Sequence, residues 1–295
     1  MADKIVVVVY PGDLPQFKLM AYCLNKNWQD DRNLTIVYQG DLGSIIESIV
    51  NITFSKAWNI EIKQGINTTL MDGYQEQQLH KVIESIDERY EDVIVFDCKD
   101  FLLKPANFLL FKQGNLHYFS QISQSDKRSY YDYYPTVVDG LDLDSSIRVK
   151  PPLILTPWIW NVEQLKRYWQ FITNKFGSDY NTWTDYPTGS EWASYYLFTS
   201  VDSDAVISFD TKNLFMPIGG MWDNNTQKES MIHVENFNRT PQTVFWKHHR
   251  RLIDPMYTSI TAMQLQNYNI PMDIISQWVD EKYKLGSDRM AEIPI

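Results

Sequence analysis

The sequence has few cysteines and no long hydrophobic run. Its 295 residues include 2 cysteines, too few for the disulfide framework of a secreted domain, so we expect a reducing, cytoplasmic environment. No stretch approaches the roughly 20 apolar residues that a membrane-spanning helix needs. The apolar run at residues 4–10 is too short for a signal peptide and ends in Pro-Gly. These absences predict a protein without membrane insertion.

The sequence also lacks the short motifs of several enzyme classes. No G-x-G-x-x-G follows the first apolar run, which disfavours a nicotinamide-dependent dehydrogenase. There is no phosphate-binding loop ending in Gly-Lys-Ser/Thr, no G-x-S-x-G nucleophile elbow and no H-E-x-x-H zinc motif. Any catalytic site must therefore be built from a different arrangement of side chains.

Positive charge is scarce. Lys and Arg number 27 against 37 Asp and Glu, for a net charge of -10. This argues against general nucleic-acid coating, which needs cations to displace counterions, but it permits a local basic patch. The one basic cluster is FWKHHRR at residues 245–251. It could be a solvated charge run, but its cations beside two aromatic residues suit a diphosphate or a nucleic-acid backbone, and a histidine there could bind a metal.

Alternating strand and helix patterns predict an α/β fold. Hydrophobic residues make up 44% of the chain, enough for a sizeable core. The 14% of aromatic residues could pack that core or stack on sugars and bases. Residues 115–150 lack periodicity and are predicted to form loops and short strands. The other patterns predict strands at 4–10, 34–39, 59–63 and 93–96, and helices at 17–24, 41–50, 75–90, 161–176, 191–199, 259–268 and 272–284.

The opening β-α-β order is typical of a Rossmann-type nucleotide-binding sheet. We see no linker or repeat. We therefore predict a single domain over residues 1–295, with a nucleotide-binding core at about 1–210 and a helical C-terminal wrap at about 211–295 that completes the site.

Three polar residues are predicted to meet at one edge of this sheet. A helix in an α/β unit runs antiparallel to its strand, so the start of the 75–90 helix lies at the carboxyl end of the 93–96 strand. Gln75 and Gln78 extend the apolar stripe of that helix, and Asp97 ends the strand. Ligands bind at this edge in open α/β sheets. The alternative is a structural network in which these groups satisfy each other.

Asp97, Cys98, Lys99 and Asp100 form a turn at the strand end. Asp97 could hold a divalent metal or a ribose hydroxyl, and Lys99 could meet a phosphate. The alternative is a plain turn with Asp100 as its cap. Asp13 follows the first strand, where it could accept hydrogen bonds from a base or ribose, or could cap the next helix.

Glu191 fits two descriptions. Thr188 and Glu191 have the spacing of a capping box, with Thr188 as N-cap. Glu191 also shares an inward-facing stripe with Tyr195 and Phe198, where a carboxylate could act as a general base or accept a hydrogen bond from a hydroxyl.

Five segments in order resemble a known family. These are GDLPQFKLMAYCL, GYQEQQLHKV, VFDCKDFLLKP, LTPW and GSEWASYYLF. They resemble glycosyltransferases of the GT-A superfamily from bacteria and phages, which have a D-L-x-x-F start, a G-W/Y-x-x-Q-Q helix, a strand ending D-S-D or D-S-K, and a later S-E-x-x-x-Y element. The resemblance covers about residues 5–200 and implies a GT-A-like mixed sheet flanked by helices.

The resemblance implies a transferase that moves a sugar from a nucleotide-diphosphate sugar, such as a UDP-sugar, to an acceptor hydroxyl. It assigns roles to individual residues: Asp13 faces the nucleotide; Gln75 and Gln78 lie beside the sugar diphosphate; Asp97 is the first acid of a D-x-D-type motif; Glu191 is the acid near the acceptor; and His248 or His249 holds metal or diphosphate.

Lys99 departs from the family pattern, because the second, metal-binding Asp is expected there. Asp100 could take its place beside Asp97 and His249, so a Mn or Mg ion is expected but depends on that replacement. The ammonium of Lys99 could instead supply the positive charge.

The acceptor is expected to be either a cell-surface glycan or a hydroxymethylated pyrimidine in phage DNA. The DNA reading would place the protein in the host cytoplasm and make Arg250 and Arg251 acceptor contacts. A non-catalytic nucleotide-sugar-binding protein on the same fold is the remaining alternative.

Overall fold

A computed structural model of the chain shows a mixed α/β fold with a central, mostly parallel sheet flanked by helices. This confirms the predicted fold class. The structure describes residues 2–68, 70–71, 73–110, 112–113, 116–118, 120–121, 133–142, 154–155, 157–183, 191–201, 207–208, 215–218, 245–248, 265–266 and 268–280.

The elements occur in the following order along the chain. The strands are β1 (Ala2–Val9), β2 (Asn33–Tyr38), β3 (Asn59–Gln64), β4 (Tyr90–Asp97), β5 (Asp100–Leu102), β6 (Lys112–Gln113), β7 (Leu116–Tyr118), β8 (Ser120–Gln121), β9 (Ile154–Leu155), β10 (Trp158–Asn161), β11 (Ile207–Ser208), β12 (Phe215–Ile218) and β13 (Phe245–His248). The α-helices are α1 (Leu14–Asn27), α2 (Gly43–Thr53), α3 (Gly73–Ser85), α4 (Tyr133–Gly140), α5 (Val162–Phe176) and α6 (Glu191–Val201). Residues 272–280 are also helical.

The main sheet has the order β10-β4-β1-β2-β3. Strands β1 to β4 are parallel and β10 is antiparallel to β4. The β-branched run at residues 5–9 forms the centre of the sheet, where each of these side chains is 0% exposed. A strand that is covered on both faces typically has such a continuous apolar sequence.

The register aligns the carboxyl ends of the four parallel strands. Asp97 lies beside Val8 of β1, and Tyr38 of β2 lies between Val9 and Gln64 of its two neighbours. The residues that follow these strands therefore converge at one edge, which we call the carboxyl edge.

Alternating side chains of β1 pack against opposite layers. Ile5, Val7 and Val9 join a core with α1 and α2, while Val6 joins a second core with α3, α5 and α6. Burial of one such side chain is worth roughly 1.5–3 kcal/mol. These two cores fix the helices whose ends reach the carboxyl edge.

The predicted helix at 75–90 is wrong for its last five residues. Helix α3 ends at Ser85, whose Oγ donates to the Lys81 carbonyl at 2.6 Å. Asp87 then accepts the Arg89 N–H at 3.2 Å, and β4 begins at Tyr90. Short polar side chains that bond the local backbone compete with the helix, which explains its earlier end.

The expectation of only loops and short strands at 115–150 is also wrong, because α4 lies there. Its apolar residues Val137 and Val138 are buried in the core that contains α6. Tertiary burial, which has no periodic signature in so short a segment, stabilises this helix.

Two late segments pack onto the core. Strand β13 pairs antiparallel with β5, and Trp278 of the 272–280 helix meets Phe101 of β5 edge to face, with ring centroids 6.0 Å apart. The predicted helix at 259–268 falls largely outside the described residues. The division into a core and a C-terminal wrap stays a prediction.

Candidate active site

Asp97 ends β4 at the carboxyl edge, as the sequence predicts. Its backbone N–H donates to Oδ2 of Asp100 at 2.7 Å, so Asp100 closes the turn at residues 97–100. Asp100 is 0% exposed, while the Asp97 side chain keeps 13% exposure. Oδ2 of Asp100 therefore caps the turn, as the alternative interpretation of this segment predicted. Of the two acids, Asp97 is the one whose side chain is partly exposed.

Cys98 anchors this turn to the sheet. Its Sγ donates to the Val8 carbonyl at 3.2 Å. Burial raises the pKa of the Cys98 thiol, and the charges of Asp13 and Asp97 raise it further, while Lys99 lowers it. A buried neutral thiol is a poor nucleophile. Its role is to hold the turn against β1 rather than to react.

Helix α3 directs an unusual number of polar side chains into the protein. Six of them are buried. They are Glu76, Gln77, Gln78, His80, Lys81 and Ser85. Buried polar groups need partners. Ser85 bonds within α3, and partners of the others include Gln39, residues 66–68, Asp97 and Glu191.

Lys81 connects two acids of the candidate site. Its Nζ lies 2.8 Å from Oδ1 of Asp97 and 3.5 Å from Oε1 of Glu191. The Lys81 and Glu191 side chains are 6% and 3% exposed. Two acids from β4 and α6 therefore share one buried ammonium.

Glu191 is the first residue of α6 that the structure describes. Its backbone N–H donates to Oε1 of Gln78 at 3.0 Å, and Thr188 lies outside the described residues, so the capping box stays a prediction. Burial raises the pKa of the Glu191 carboxyl, an effect that Lys81 partly offsets. Within the described part of the chain, Oε2 of Glu191 has no hydrogen-bond partner. A buried acceptor in this state suits a ligand hydroxyl.

Other residues for which donor contacts are predicted include Asp13, Gln75 and Lys99. Asp13 is half-buried at the start of α1 and makes no side-chain capping hydrogen bond. Gln75 is half-buried in the first turn of α3, and Lys99 is 8% exposed in the turn after Asp97. Gln78 contacts Glu191, and Lys81 links α3 to Asp97. A direct meeting of the α3 glutamines with Asp97 stays a prediction.

A second polar cluster ties the segment before α3 to the same edge. Nε2 of His80 lies 3.0 Å from the Ile66 carbonyl, which also accepts from Gln39 at 3.1 Å. Burial lowers the pKa of His80, which favours the neutral ring. Glu76 accepts hydrogen bonds from the backbone N–H and hydroxyl of Thr68 at 2.7 and 2.8 Å. These hydrogen bonds connect α3 to the segment at residues 66–68 and to the end of β2.

The late basic cluster begins beside the Asp97 turn. Lys247 of β13 is the register partner of Asp100, and His248 follows it at the end of the strand. The backbone of this segment is thus close to the turn. His249, Arg250 and Arg251 lie outside the described residues, so their roles stay predictions.

The described residues do not by themselves make a metal site. Among them, no group of three or more His, Cys, Asp or Glu side chains could hold an ion. Asp97 uses Oδ1 on Lys81, and Asp100 uses Oδ2 on the turn. A Mn or Mg ion at Asp97 would need further ligands from a donor diphosphate or from residues such as His249, so metal dependence stays a prediction.

Sequence reasoning missed Lys81 and His80. Lys81 lies three residues after Gln78, which places both on one face of α3. The available signal for a buried lysine was its spacing of three residues from a glutamine that was predicted to face inward. For His80 the sequence offers no comparable sign, because its partners, Gln39 and the Ile66 carbonyl, are distant in the chain.

Comparison with solved structures identifies the fold. The apo structure of the WbbM bifunctional glycosyltransferase is similar to this chain with a TM-score of 0.56 at 12% identity, over 94% of this chain and 51% of that one. The chain has a glycosyltransferase-like fold. It spans about half the length of that neighbour. No protein-family model matches the sequence, and no curated protein matches it.

Membrane insertion was not expected from the sequence. In the described part of the chain, no helix is long and apolar enough to cross a bilayer.

Proposed function

We propose that the protein is a glycosyltransferase that moves a sugar from a nucleotide-diphosphate sugar to an acceptor hydroxyl. The observation that carries this proposal is the pair of acids at the carboxyl edge, Asp97 and Glu191, which share the Lys81 ammonium on a glycosyltransferase-like sheet. Open α/β sheets bind nucleotides at this edge.

The residues divide into a donor side and an acceptor side. Asp97 and Asp13 accept hydrogen bonds from donor hydroxyls, and Gln75 and Lys99 lie beside the diphosphate. Cations near the diphosphate stabilise the negative charge that gathers on it as it leaves. Among the described residues, Lys99 in the turn after Asp97 would contribute such charge.

Glu191 belongs to the acceptor side. The bond between the sugar anomeric carbon and the diphosphate oxygen breaks, and its electron pair leaves with the nucleoside diphosphate. The acceptor oxygen forms the new bond to that carbon, and its proton passes to the Glu191 carboxylate. Oε2 of Glu191 is buried and has no hydrogen-bond partner among the described residues, which supports this role.

Donor use is tested with a panel of nucleoside-diphosphate hexoses and pentoses on five bases. The assay measures released nucleoside diphosphate, with melting temperature recorded for each donor. We expect turnover with one donor class. A donor that raises the melting temperature without any turnover, with every acceptor offered, would favour the non-catalytic binding protein instead.

The acceptor is tested with radiolabelled donor and three acceptor classes. These are duplex DNA with hydroxymethylcytosine or hydroxymethyluracil, unmodified DNA, and a saccharide panel. The basic cluster at 245–251 favours DNA, and label on hydroxymethylated DNA alone, falling steeply with salt, supports that acceptor. Label on saccharides alone excludes DNA and leaves the glycosyltransferase proposal intact.

A further inference from the structure

Lys81 is a buried lysine that faces two acids at once. Its residue is 5% exposed, and its Nζ lies 2.8 Å from Asp97 and 3.5 Å from Glu191. Burying an ammonium costs several kcal/mol unless it is paired and hydrogen-bonded. One carboxylate is enough for such pairing, so the second calls for an explanation beyond stability.

The three charged groups come from three separate elements. Lys81 is on α3, Asp97 ends β4 and Glu191 begins α6. Helix α3 also holds the start of α6 through Gln78, which accepts the Glu191 N–H. One helix therefore positions both the backbone and the carboxylate of Glu191, and the same helix holds the acid of β4.

Another buried lysine, Lys4, provides a contrast. Lys4 lies near the start of β1 at the opposite edge, is 2% exposed, and pairs with Asp87 at 3.1 Å. Its other hydrogen bond goes to the backbone carbonyl of Glu84 at 3.0 Å. Lys4 thus has the partners of a structural lysine, whereas Lys81 has a carboxylate on each of two elements.

We infer that Lys81 is a positioning residue that holds the donor-side acid Asp97 and the acceptor-side acid Glu191 in one fixed arrangement. This inference rests on the proposed function. Without the ammonium, two carboxylates in a low-dielectric site repel each other and rotate apart. The acceptor oxygen would then bind out of line with the sugar carbon, while the diphosphate contacts would remain.

The kinetic test compares Lys81→Met, Lys81→Arg and Lys4→Met, each corrected for folded protein. For Lys81→Met we expect kcat to fall about 100-fold, the scale of a small misplacement of reacting groups, with a nearly unchanged KM for the donor. The cation in Lys81→Arg should restore part of the rate. Lys4→Met should lose stability but keep its turnover per folded molecule. A raised donor KM with unchanged kcat would overturn the inference, because Lys81 would then be a diphosphate contact.

A double-mutant cycle tests whether Lys81 acts through Glu191. The double variant Lys81→Met/Glu191→Gln should be about as slow as Glu191→Gln alone, since groups that act as a unit are not additive. It also removes the carboxylate repulsion that could unfold Lys81→Met. Fully multiplicative losses would contradict the inference.

A spectroscopic readout is independent of turnover. In protein labelled with ¹⁵N-lysine, a buried ammonium that hydrogen-bonds to carboxylates exchanges slowly enough to give its own signal, which Lys81→Arg assigns. We expect this signal to shift in both Asp97→Asn and Glu191→Gln, while the Lys4 signal stays in place. A Lys81 signal that responds to only one acid overturns the inference. If the Lys81 signal responds to both acids but no donor is turned over, the proposed function fails while the link between the acids stands.

Discussion

Lys81 Nζ lies 2.8 Å from Oδ1 of Asp97, across the boundary between α3 and the end of β4. Because Glu191 also lies near this ammonium, at 3.5 Å, an acid on the sheet and an acid on a helix distant in the chain become parts of one site. The chemistry that we propose depends on this arrangement, and the predictions below test its parts.

Glu191→Gln should separate catalysis from stability. The amide can keep the hydrogen bond to Lys81 but cannot take the acceptor proton, so the rate should fall by at least about 100-fold. Burial raises the pKa of Glu191, so its ionisation costs the folded state stability as pH rises above the unfolded value of about 4.3. The variant should therefore melt like wild type near pH 4 and at or above it at pH 8.

Glu163→Gln is the matched control for that substitution. Glu163 is in the first turn of α5, as Glu191 is in the first turn of α6, but its side chain is 73% exposed. Its rate should equal that of wild type. Equal rates for Glu191→Gln and Glu163→Gln, or a Glu191→Gln rate loss fully explained by unfolding, would remove Glu191 from the mechanism.

Metal dependence is tested by chelation. If Asp97, Asp100 and His249 hold a divalent ion with the donor diphosphate, excess chelator should abolish turnover and Mn²⁺ or Mg²⁺ should restore it. Asp100→Asn is informative because its amide oxygen can still accept the turn hydrogen bond, while the charged ligand is removed. The variant should therefore bind the divalent ion more weakly. Full activity in excess chelator would show that the protein's own cations provide the charge.

Asp87, which precedes β4 at the edge of the sheet opposite the carboxyl edge, should make the stability of the protein depend on pH. Arg89, followed by Lys4, holds the pKa of its carboxyl well below the usual range. A depressed pKa stabilises the fold above the unfolded value of about 3.9, and this contribution is lost as pH falls below it. Asp87→Asn should cost roughly 1–3 kcal/mol at pH 7 and only somewhat less near pH 3, where the carboxyl is still ionised in the folded protein, as measured by urea unfolding.

The exposed ion pair of Asp142 and Lys175 provides the control for Asp87. Asp142 is 84% exposed, so Asp142→Asn should change the free energy of unfolding by less than about 1 kcal/mol at either pH. An equal cost for both variants at pH 7 would mean that the Asp87 contacts add nothing.

Gly65 should not tolerate a side chain. A Cβ there would lie 2.8 Å from Nε2 of Gln39 and 2.9 Å from Nε2 of His80, so Gly65→Ala must displace the cluster around the Ile66 carbonyl. We expect a loss of roughly 1–3 kcal/mol, measured by urea unfolding. Gly73→Ala meets only Tyr10 at 3.1 Å and should cost less. An unchanged free energy of unfolding in Gly65→Ala would show that the side chains of this cluster can move aside at little cost.

The sheet could be predicted because its signal is local. The run at residues 4–10 and the 34–39 and 93–96 patterns each identify a strand of the main sheet, and the stripe on α3 identifies its covering helix. The short strand β10 could not be predicted, because its pairing with β4 is a long-range contact that Trp158 to Asn161 do not encode alone. Helix α4 was missed because burial against α6, rather than periodicity, stabilises it.

The sequence predicts which residues lie at the carboxyl edge of the sheet, but not how those residues contact each other. Asp97 lies there because it ends a strand, and Glu191 because it begins an inward-facing helix. The link between them could not be predicted, because the roles of Lys81 and Gln78 depend on how α3 and α6 pack. That packing also shows why Gln78 holds a backbone N–H of α6, a role the sequence pattern does not reveal.

The most direct test of the account is donor turnover by Asp97→Asn beside Asp92→Asn. Both acids are on β4, at opposite edges of the sheet, and Asp92 accepts a hydrogen bond from Asn161 at 3.3 Å. With the donor found in the panel, released nucleoside diphosphate is measured per folded molecule. We predict that Asp97→Asn keeps the fold and loses at least about 100-fold in turnover, while Asp92→Asn keeps the wild-type rate. Near-wild-type turnover in Asp97→Asn would contradict the central claim that this acid at the carboxyl edge serves glycosyl transfer.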